Sequence, residues 1–287
     1  MGDCQMRNEI KVKVKLFDRQ IIKWFYGLLS AVSVVTSIIF LFVDIEQKYK
    51  TIFGITAIGI FLLIYISIWI YANKRNSILL TINKSSVEVK FGDLFSEESD
   101  WKAIAFNEYY DTIVDDIIIA QSTLNGMYIN KYFDNKVDKL DRIIASDPHL
   151  SMKAVSQNLQ RTRGKKTKYQ LGSVCVVGDY LLTALTHFDV DNKAYIDMHE
   201  YISFLLAFWD EVDRVYAGKT IAIPVFGSGI TRFKKYDMVS DQELLELIIW
   251  SFKVSRIKFT YPSKVKIVVY NGKRDKINLQ ALKSFQE

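Results

Sequence analysis

The segment with the clearest capacity for chemistry is Pro224–Arg232 (PVFGSGITR). It follows an apolar run that is typical of a buried strand. Gly227 and Gly229 flank Ser228, so the backbone can approach a ligand closely and successive amide groups can point at an anion. The spacing matches neither the Walker loop nor the GxGxxG dinucleotide motif, so neither an ATPase nor a dehydrogenase is indicated. An anion-binding loop and a plain tight turn both fit this segment.

Three shorter segments carry polar residues where predicted strands end or a predicted helix begins. Asp93 lies at the end of a strand, where its carboxylate could accept a hydrogen bond from an exocyclic amine or cap a turn. Asn107–Thr112 (NEYYDT) directly follows the third strand. Ser122–Gly126 (STLNG) opens a helix, where a glycine beside small polar residues suits a phosphate group. Taken singly, each segment is explained as well by capping and turn chemistry.

The other reactive residue types form no recognisable site. His149, His187 and His199 lack the spacing of metal ligands, and no Ser, His and Asp order typical of a hydrolase can be assigned. Cys4 and Cys175 give neither a disulfide framework nor a metal motif. The sequence therefore predicts no metal, no cofactor and no catalytic residue.

The elements that position these segments alternate between strands and helices in the C-terminal half. Strands are predicted at Ser77–Asn83, Ser86–Phe91, Lys102–Phe106, Ser173–Val177, Leu181–His187, Thr220–Val225 and Val265–Tyr270. Helices are predicted at Asp134–Ala145, Ser151–Gln160, Tyr195–Tyr216 and Ser240–Val254, the last with a capping box from Ser240 and Glu243. Arg161–Lys168 (RTRGKKTK) is predicted to be a solvated basic loop. This order indicates an α/β domain with a parallel or mixed sheet.

Two long uncharged runs, Trp24–Val43 and Thr51–Asn73, precede this domain. Each reaches the roughly 20 apolar residues needed to cross a bilayer. Buried core helices are the soluble alternative, although uncharged runs this long are rare in soluble domains. A cleavable signal peptide is disfavoured because the first run is too long and no small-residue cleavage site follows it. The sequence predicts a hairpin of two transmembrane helices.

The net charge of +6 is concentrated around the hairpin. Residues 1–76 hold 10 Lys and Arg against 5 Asp and Glu, which leaves 28 against 27 in the rest of the chain. A nucleic-acid partner is therefore not predicted, and the positive-inside rule places both termini in the cytoplasm. The predicted organisation is a basic cytoplasmic segment (1–20), a transmembrane hairpin (21–73) and an α/β domain (77–287).

Together, the polar segments resemble the macro domain, a family that binds ADP-ribose and related nucleotides. The resemblance lies in a strand ending in Gly-Asp, a strand ending in Asn, a Gly-containing helix start and a strand leading into Gly-Ser-Gly, and it covers the chain from Ser77 onwards. With the two spans ahead of it, the chain resembles the membrane-anchored macro-domain effectors of bacterial Thoeris antiphage defence. The resemblance implies a three-layer α/β/α domain with a mixed sheet, held at the bacterial inner membrane.

The resemblance also implies roles for individual residues. Asp93, with Leu94 beside it, would hold the adenine amino group, and Tyr270 could stack on the adenine. Asn107, Asp111 and Thr112 would lie along the distal ribose and whatever it carries. The phosphates would meet two backbone segments, made by Asn125 and Gly126 and by Gly227, Ser228, Gly229, Ile230 and Thr231.

The implied function is that of a signal-gated effector in abortive infection. The signal would be an ADP-ribose derivative, the histidine conjugate in this branch, made by a companion TIR-domain enzyme. Binding would drive homo-oligomerisation, and small residues on the spans would let helices pack closely as the membrane is disrupted. Macro domains that hydrolyse ADP-ribose links carry a longer Asn-Ala-Ala-Asn motif, so binding without turnover is expected. A membrane-tethered ADP-ribosyl hydrolase and an anchored scaffold without nucleotide ligand remain the alternatives.

Overall fold

The structure is a computed structural model that describes residues 14–229, 231–234 and 239–286. The chain forms two compact units. The first contains the chain up to Ile78 together with Ile277–Ser284, and the second contains Leu79–Lys276 with the last three residues. The second unit carries the predicted ligand-binding segments. The sequence did not indicate that a C-terminal stretch joins the hairpin.

Two helices make up most of the first unit: α1 (Arg19–Phe40) and α2 (Gln47–Lys74). With 22 and 28 residues, they are about 33 and 42 Å long at the usual helical rise. Their most apolar windows have mean hydropathies of 1.6 and 2.3, and hardly any of these residues is buried within the protein. By length and composition both helices are candidate membrane spans.

One end of the hairpin is closed by hydrogen bonds to the residues that precede α1. The Trp69 indole N–H donates to the Val14 carbonyl (2.9 Å), and the Tyr65 hydroxyl donates to the Leu16 carbonyl (2.6 Å). The Asn73 side-chain oxygen accepts from the Val14 amide (3.1 Å). Polar groups of α2 therefore satisfy backbone groups ahead of α1.

The C-terminal stretch Ile277–Ser284 joins the same unit. The Asn278 side-chain amide donates to Asp18, the residue that caps α1, at 3.1 Å. The Lys283 ammonium lies 2.9 Å from the centre of the Trp24 ring, which is a cation–π contact. Partial burial lowers the pKa of Lys283 to about 8.

The domain that follows the hairpin is built on a mixed sheet. The strands in chain order are β1 (Ser77–Ile82), β2 (Ser85–Gly92), β3 (Trp101–Asn107), β4 (Ala154–Gln157), β5 (Thr167–Tyr169), β6 (Val174–Val177), β7 (Tyr180–Phe188), β8 (Ala194–Asp197), β9 (Ile221–Pro224), β10 (Arg232–Lys234) and β11 (Val265–Tyr270). Within the described residues, nine of them form one sheet in the order β1-β2-β11-β9-β3-β7-β8-β10, with β6 also paired to β7. β4 and β5 form a separate antiparallel pair.

The direction of the central strands sets where a ligand can bind. β2, β11, β9, β3 and β7 are neighbours and all run parallel. β6 and β8 pair with β7 in the antiparallel sense, so the predicted mixed sheet is confirmed. The carboxyl ends of the five parallel strands therefore share one edge, which is the ligand-binding edge of open α/β sheets.

Helices pack on this sheet as layers. They are α3 (Leu124–Phe133), α4 (Val137–Ser146), α5 (Pro148–Met152), α6 (Met198–Val215) and α7 (Asp241–Ser255). Ile104 and Phe106 point to the same face of β3 and share a core cluster with residues of α3, α4 and α5. A different aromatic group joins α6 to α7, with the rings of Trp209 and Phe252 5.0 Å apart. The α/β/α architecture expected from the sequence is confirmed.

The helix predicted at Ser151–Gln160 is wrong. Asp147 caps the short helix α5, which ends at Met152, and the chain then extends into β4. β4 and β5 make a hairpin whose loop and second strand contain the basic stretch that was predicted to be solvated. Ala154–Gln157 is exposed throughout, so no apolar face holds it as a helix. The loop is held by contacts with Asp111, which is distant in the sequence, and a local pattern cannot indicate such contacts.

Candidate functional site

Three predicted segments lie at the carboxyl ends of adjacent strands. Asp93 follows β2, Tyr270 ends β11, and Gly227 begins the turn after β9. β11 lies between β2 and β9, and Tyr270 pairs in register with Gly92. The sheet therefore brings the predicted adenine residues and the glycine loop to one edge.

The glycine loop borders a cleft of about 400 Å³. The loop residues that line it are Gly227, Ser228, Gly229 and Thr231. Ser240, Asp241, Lys273 and Lys276 supply its other polar groups, and Phe233, Val239 and Leu244 supply apolar contact. We call this space the cleft. It combines the main chain of the glycine loop, two lysines and an apolar wall, which suits an anionic ligand with an uncharged body.

The two glycines of the loop have different structural roles. Gly227 has φ +79°, and a Cβ there would lie 3.0 Å from the Phe233 ring. Gly229 has ordinary backbone geometry, and a Cβ there would meet nothing within 4 Å. Gly227 is therefore required by the turn itself, whereas Gly229 keeps space open in the cleft.

An ion pair lies in the cleft beside the loop. The Lys273 ammonium is 2.7 Å from Asp241 Oδ1 and also donates to the Ser228 carbonyl oxygen. Lys276 lies farther away, with Nζ 3.9 Å from Asp241 Oδ2. Asp241 is the first residue of α7, whose predicted Ser240–Glu243 capping box is present. The site thus contains one carboxylate and two ammonium groups that the sequence did not single out.

Features of the sequence do indicate where these three charged residues lie. The capping box at Ser240 places Asp241 in the first turn of α7, and Lys273 and Lys276 follow the end of β11 by a few residues. Residues just past a parallel strand's carboxyl end lie at the ligand edge. What the sequence could not supply was the folding of the segment Asn271–Lys276, a 3-10 helix that turns back towards the glycine loop.

At the adenine end, the residues have a simpler geometry. Asp93 is exposed and caps the 3-10 helix Leu94–Ser96 by accepting from the Phe95 amide at 3.1 Å. Leu94 is buried in the core cluster. Tyr270 is 70% exposed, so its ring is available to a ligand. Within the described residues, the second carboxylate oxygen of Asp93 and the Tyr270 ring are the groups that a ligand could contact here.

The polar residues after β3 differ from those at the adenine end, because other groups of the protein already make hydrogen bonds to their side chains. The Asn107 side chain donates to Asp111 Oδ2 (3.0 Å) and accepts from the Tyr109 amide (2.9 Å). Thr112 donates to Asp141 Oδ1 at 2.7 Å. Asn107, Asp111 and Thr112 are all buried, Asp111 completely.

The partner of Asp111 comes from the β4–β5 hairpin. The Arg161 guanidinium makes a two-pronged contact with the carboxylate, at 3.0 Å from Nη1 to Oδ1 and 2.7 Å from Nη2 to Oδ2. The Lys165 amide donates to the same carboxylate at 2.7 Å. Only 8% of the Arg161 side chain is exposed. We call Asn107, Asp111, Arg161 and Lys165 the Arg161 network.

The loop and the network are closely fitted. A Cβ at Gly164, which has φ +80°, would lie 2.5 Å from Asp111 Oδ1. The Arg161 guanidinium also stacks over the Tyr109 ring, 4.0 Å from its centre. The stretch predicted to be solvated is therefore partly buried against the segment after β3.

A second charged group adjoins the network. Glu108 is buried, 2.7 Å from His187 Nδ1 and 3.0 Å from the Lys168 ammonium. The hydrogen bond that His187 donates to Glu108, followed by the charges of Glu108 and Glu200, raises the pKa of His187 against the opposing effect of burial. Burial alone would raise the pKa of Glu108, but the bonds from His187 and Lys168 outweigh it and lower that pKa.

The predicted helix start is confirmed as local structure. Thr123 caps α3 by accepting from the Gly126 amide at 3.3 Å. A Cβ at Gly126 would lie 2.3 Å from the Ala120 carbonyl oxygen, so only glycine fits there. Asn125 is half-buried within the first turn.

Ile230 lies outside the described residues. In the described part of the chain, no group of three or more His, Cys, Asp and Glu side chains could hold a metal ion. Cys175 is buried, and that burial raises the pKa of its thiol.

Comparison with known proteins identifies relatives of the whole chain. The family model described as "Thoeris protein ThsA, Macro domain" matches residues 87–270. The Thoeris protein ThsA of Bacillus amyloliquefaciens (strain Y2) is 38% identical over 280 residues, which cover 96% of this chain and 93% of the relative.

Solved macrodomains are also similar in structure. The Oceanobacillus iheyensis macrodomain with ADP has a TM-score of 0.47 and 12% identity, over 73% of this chain and 95% of that one. The macrodomain of Thermus aquaticus DarG has a TM-score of 0.36 and 10% identity, over 64% of this chain and 97% of that one.

Proposed function

This chain belongs to the Thoeris ThsA macro-domain family, and from that premise we propose that it is an antiphage effector gated by an ADP-ribose-derived signal. The observation that carries the proposal is the cleft. The main chain of the glycine loop and two ammonium groups line a space at the carboxyl ends of the parallel strands. That arrangement suits a diphosphate.

The ligand we propose is the histidine conjugate of ADP-ribose, produced by a companion TIR-domain enzyme. Its adenine would lie between Asp93 and Tyr270, and its diphosphate would lie against Gly227–Gly229. The distal ribose would extend towards Asn107, Asp111 and Thr112. The Arg161 network already occupies Asn107 and Asp111, so the distal group reaches these two side chains only if the β4–β5 loop moves.

We propose binding without turnover. The Asn107 side chain donates a hydrogen bond to Asp111 and accepts one from the Tyr109 amide. It is therefore held by protein groups and is not free to orient a water or a ribose hydroxyl. Incubation with the conjugate should therefore return it intact, as measured by chromatography of the nucleotide after removal of the protein.

The output we propose is disruption of the bacterial inner membrane. Both termini would face the cytoplasm, and ligand binding would favour an oligomer in which the hairpins meet. Small residues on the spans permit such packing: Ser30, Ser33, Ser37, Gly54, Ala57 and Gly59. The ligand must bind the assembled state more tightly than the resting state, since equal affinity would shift nothing.

Calorimetry on the full chain in lipid nanodiscs tests the proposal. ADP-ribose and its histidine conjugate are titrated into wild type, Gly229→Ala and Gly229→Glu. Position 229 accepts a side chain without backbone strain, so both variants should fold, and only the glutamate places a negative charge in the cleft. We expect wild type and Gly229→Ala to bind the conjugate and Gly229→Glu to lose it.

A folded wild type that binds neither nucleotide would overturn the sensor and leave an anchored scaffold. If the conjugate binds, release of a trapped dye from liposomes that contain the protein tests the output. Leakage on addition of the conjugate, absent in Gly229→Glu, is the expected result.

A further inference from the structure

The cleft contains a negatively charged side chain, although the ligand we propose is itself an anion. Among its described lining residues, Lys273 and Lys276 are cationic and Asp241 is anionic. A diphosphate brings two negative charges into this space. Asp241 is 2.7 Å from Lys273, so the nearest ammonium group is already neutralised by the protein.

The position of Asp241 makes this neutralisation specific. Its side chain is 10% exposed, against 25% for Lys273 and 61% for Lys276. Lys273 also donates to the Ser228 carbonyl, so its ammonium bridges the glycine loop and the first turn of α7. An anion that enters beside Ser228 meets the ammonium and the carboxylate together.

We propose that Lys273 and Lys276 bind the phosphate groups of the nucleotide and that Asp241 is an internal competitor which those phosphates displace from Lys273. This inference rests on the proposed function and names the residues that set its affinity. A nucleotide with two phosphates can replace the carboxylate and still engage Lys276. A nucleoside without phosphate gains nothing from either lysine.

The competitor has a physical consequence for selection. Separating Asp241 from Lys273 loses the interaction free energy of the ion pair. Only a ligand that places a negative charge beside Lys273 replaces that interaction. The cleft therefore discriminates by phosphate content, in addition to any recognition of adenine.

A purely structural role for the pair makes a different prediction. Asp241 in the first turn of α7 also interacts favourably with the helix dipole, and Lys273 could simply tie the loop to the helix. In that case Asp241→Asn would lower stability slightly and would not tighten binding. Asp138 lies in the first turn of α4, is exposed and is outside the cleft, so Asp138→Asn is the matched control.

The experiment is calorimetry on the full chain in nanodiscs, with ADP-ribose and adenosine as probes, at two salt concentrations. We expect Asp241→Asn to bind ADP-ribose about fivefold more tightly than wild type, because the repelling carboxylate is gone. Lys273→Gln should bind at least about tenfold more weakly and Lys276→Gln about threefold more weakly, both with a reduced salt dependence. Adenosine binding should be unchanged in all three variants, and Asp138→Asn should match wild type throughout.

The outcomes separate the two claims. If wild type binds ADP-ribose but Asp241→Asn binds no more tightly than Asp138→Asn, the competitor is overturned while the sensor stands. If wild type binds no ADP-ribose, the proposed function fails and this inference fails with it. Lys273→Gln could lose affinity through a displaced loop, whereas tighter binding by Asp241→Asn cannot come from misfolding.

Discussion

The turn after β9 and the segment after β3 follow neighbouring parallel strands, yet their polar groups are used in opposite ways. In the cleft, the glycine loop borders an open space, and the ion pairs of Asp241 with Lys273 and Lys276 are partly exposed. In the Arg161 network, a completely buried carboxylate is paired with a nearly buried guanidinium. The same edge of the sheet therefore has one region that can accept a ligand as it stands and one that the protein itself already occupies.

This difference separates binding from stability. Removing one partner of a buried ion pair leaves an uncompensated charge, whereas an exposed pair contributes little. Substitutions in the network should therefore act on the folded state. In the cleft, a substitution should act on the folded state only where the turn itself requires the residue, as at Gly227, and otherwise on the ligand. Four measurements test that division.

The largest effect should come from Arg161→Gln. It leaves the Asp111 carboxylate buried with only amide donors, so we expect a loss of about 3–5 kcal/mol in the free energy of unfolding. Urea titration of the full chain in detergent, followed by tryptophan fluorescence, measures it. Arg163→Gln, two residues along the same loop, is the control, because its pair with Asp115 is exposed and should be worth less than about 1 kcal/mol. Equal losses in the two variants would show that burial does not distinguish the regions.

Gly227→Ala should come next. Because φ is +79° and the new Cβ would crowd Phe233, we expect a loss of about 1–2 kcal/mol in the free energy of unfolding. Gly229→Ala should stay within about 0.5 kcal/mol of wild type, since its Cβ meets nothing. Thermal melts of the two variants side by side make the comparison. A loss in Gly229→Ala as large as in Gly227→Ala would contradict the described turn.

The third measurement is the pH dependence of the pair beside the network. The raised pKa of His187 means that its stabilisation is complete below its unfolded pKa of about 6.5 and is lost as the pH rises through the folded pKa. The lowered pKa of Glu108 means that its stabilisation is complete above its unfolded pKa of about 4.3 and is lost as the pH falls through the folded one. The stability difference between wild type and His187→Gln should therefore be largest near pH 6, about 1 kcal/mol, and shrink towards pH 9.

That pH dependence has an internal control. Glu108 and Glu200 are the carboxylates that face His187, and Lys168 faces Glu108 from the other side. In a Glu108→Gln background, most of the pH dependence of the His187→Gln difference should disappear. Its persistence would assign the effect to Glu200.

The smallest effect on stability should come from Tyr270→Ala. The ring is largely exposed, so the free energy of unfolding should change by less than about 0.5 kcal/mol. If the ring stacks on adenine, affinity for ADP-ribose should fall about threefold to tenfold in calorimetry. Tyr261→Ala, another exposed tyrosine, serves as the control and should bind as wild type does. An unchanged affinity in Tyr270→Ala would remove this residue from the adenine site.

The sequence was most informative where structure is local. The capping box at Ser240 and the strand Val265–Tyr270 are present where the pattern predicted them. The uncharged runs likewise correspond to α1 and α2, because length and apolar content are properties of the segment itself. The order of strands and helices was enough to predict the fold class, because each element is indicated by its own residues.

What the sequence could not show depends on contacts between distant segments. Arg161 reads as one cation in a basic run, and only its 50-residue separation from Asp111, closed by the fold, makes it a buried partner. Lys273 reads as an ordinary surface lysine until the 3-10 helix turns it towards Ser228. The glycine loop could be predicted because glycines indicate special backbone geometry, whereas Lys273 approaches the loop only through the fold of the segment after β11.

The bonds at the end of the hairpin hold the residues before α1 beside the last turns of α2. Trp69 and Asn73, near the end of α2, bond to Val14 ahead of α1, and Asn278 bonds to Asp18. If the helices span, the chain must re-emerge on the side from which it entered. Among the described residues, an impermeant protease applied to the opposite face would then reach the turn at residues 41–46, whereas the α/β domain would be cut from the side that holds Val14.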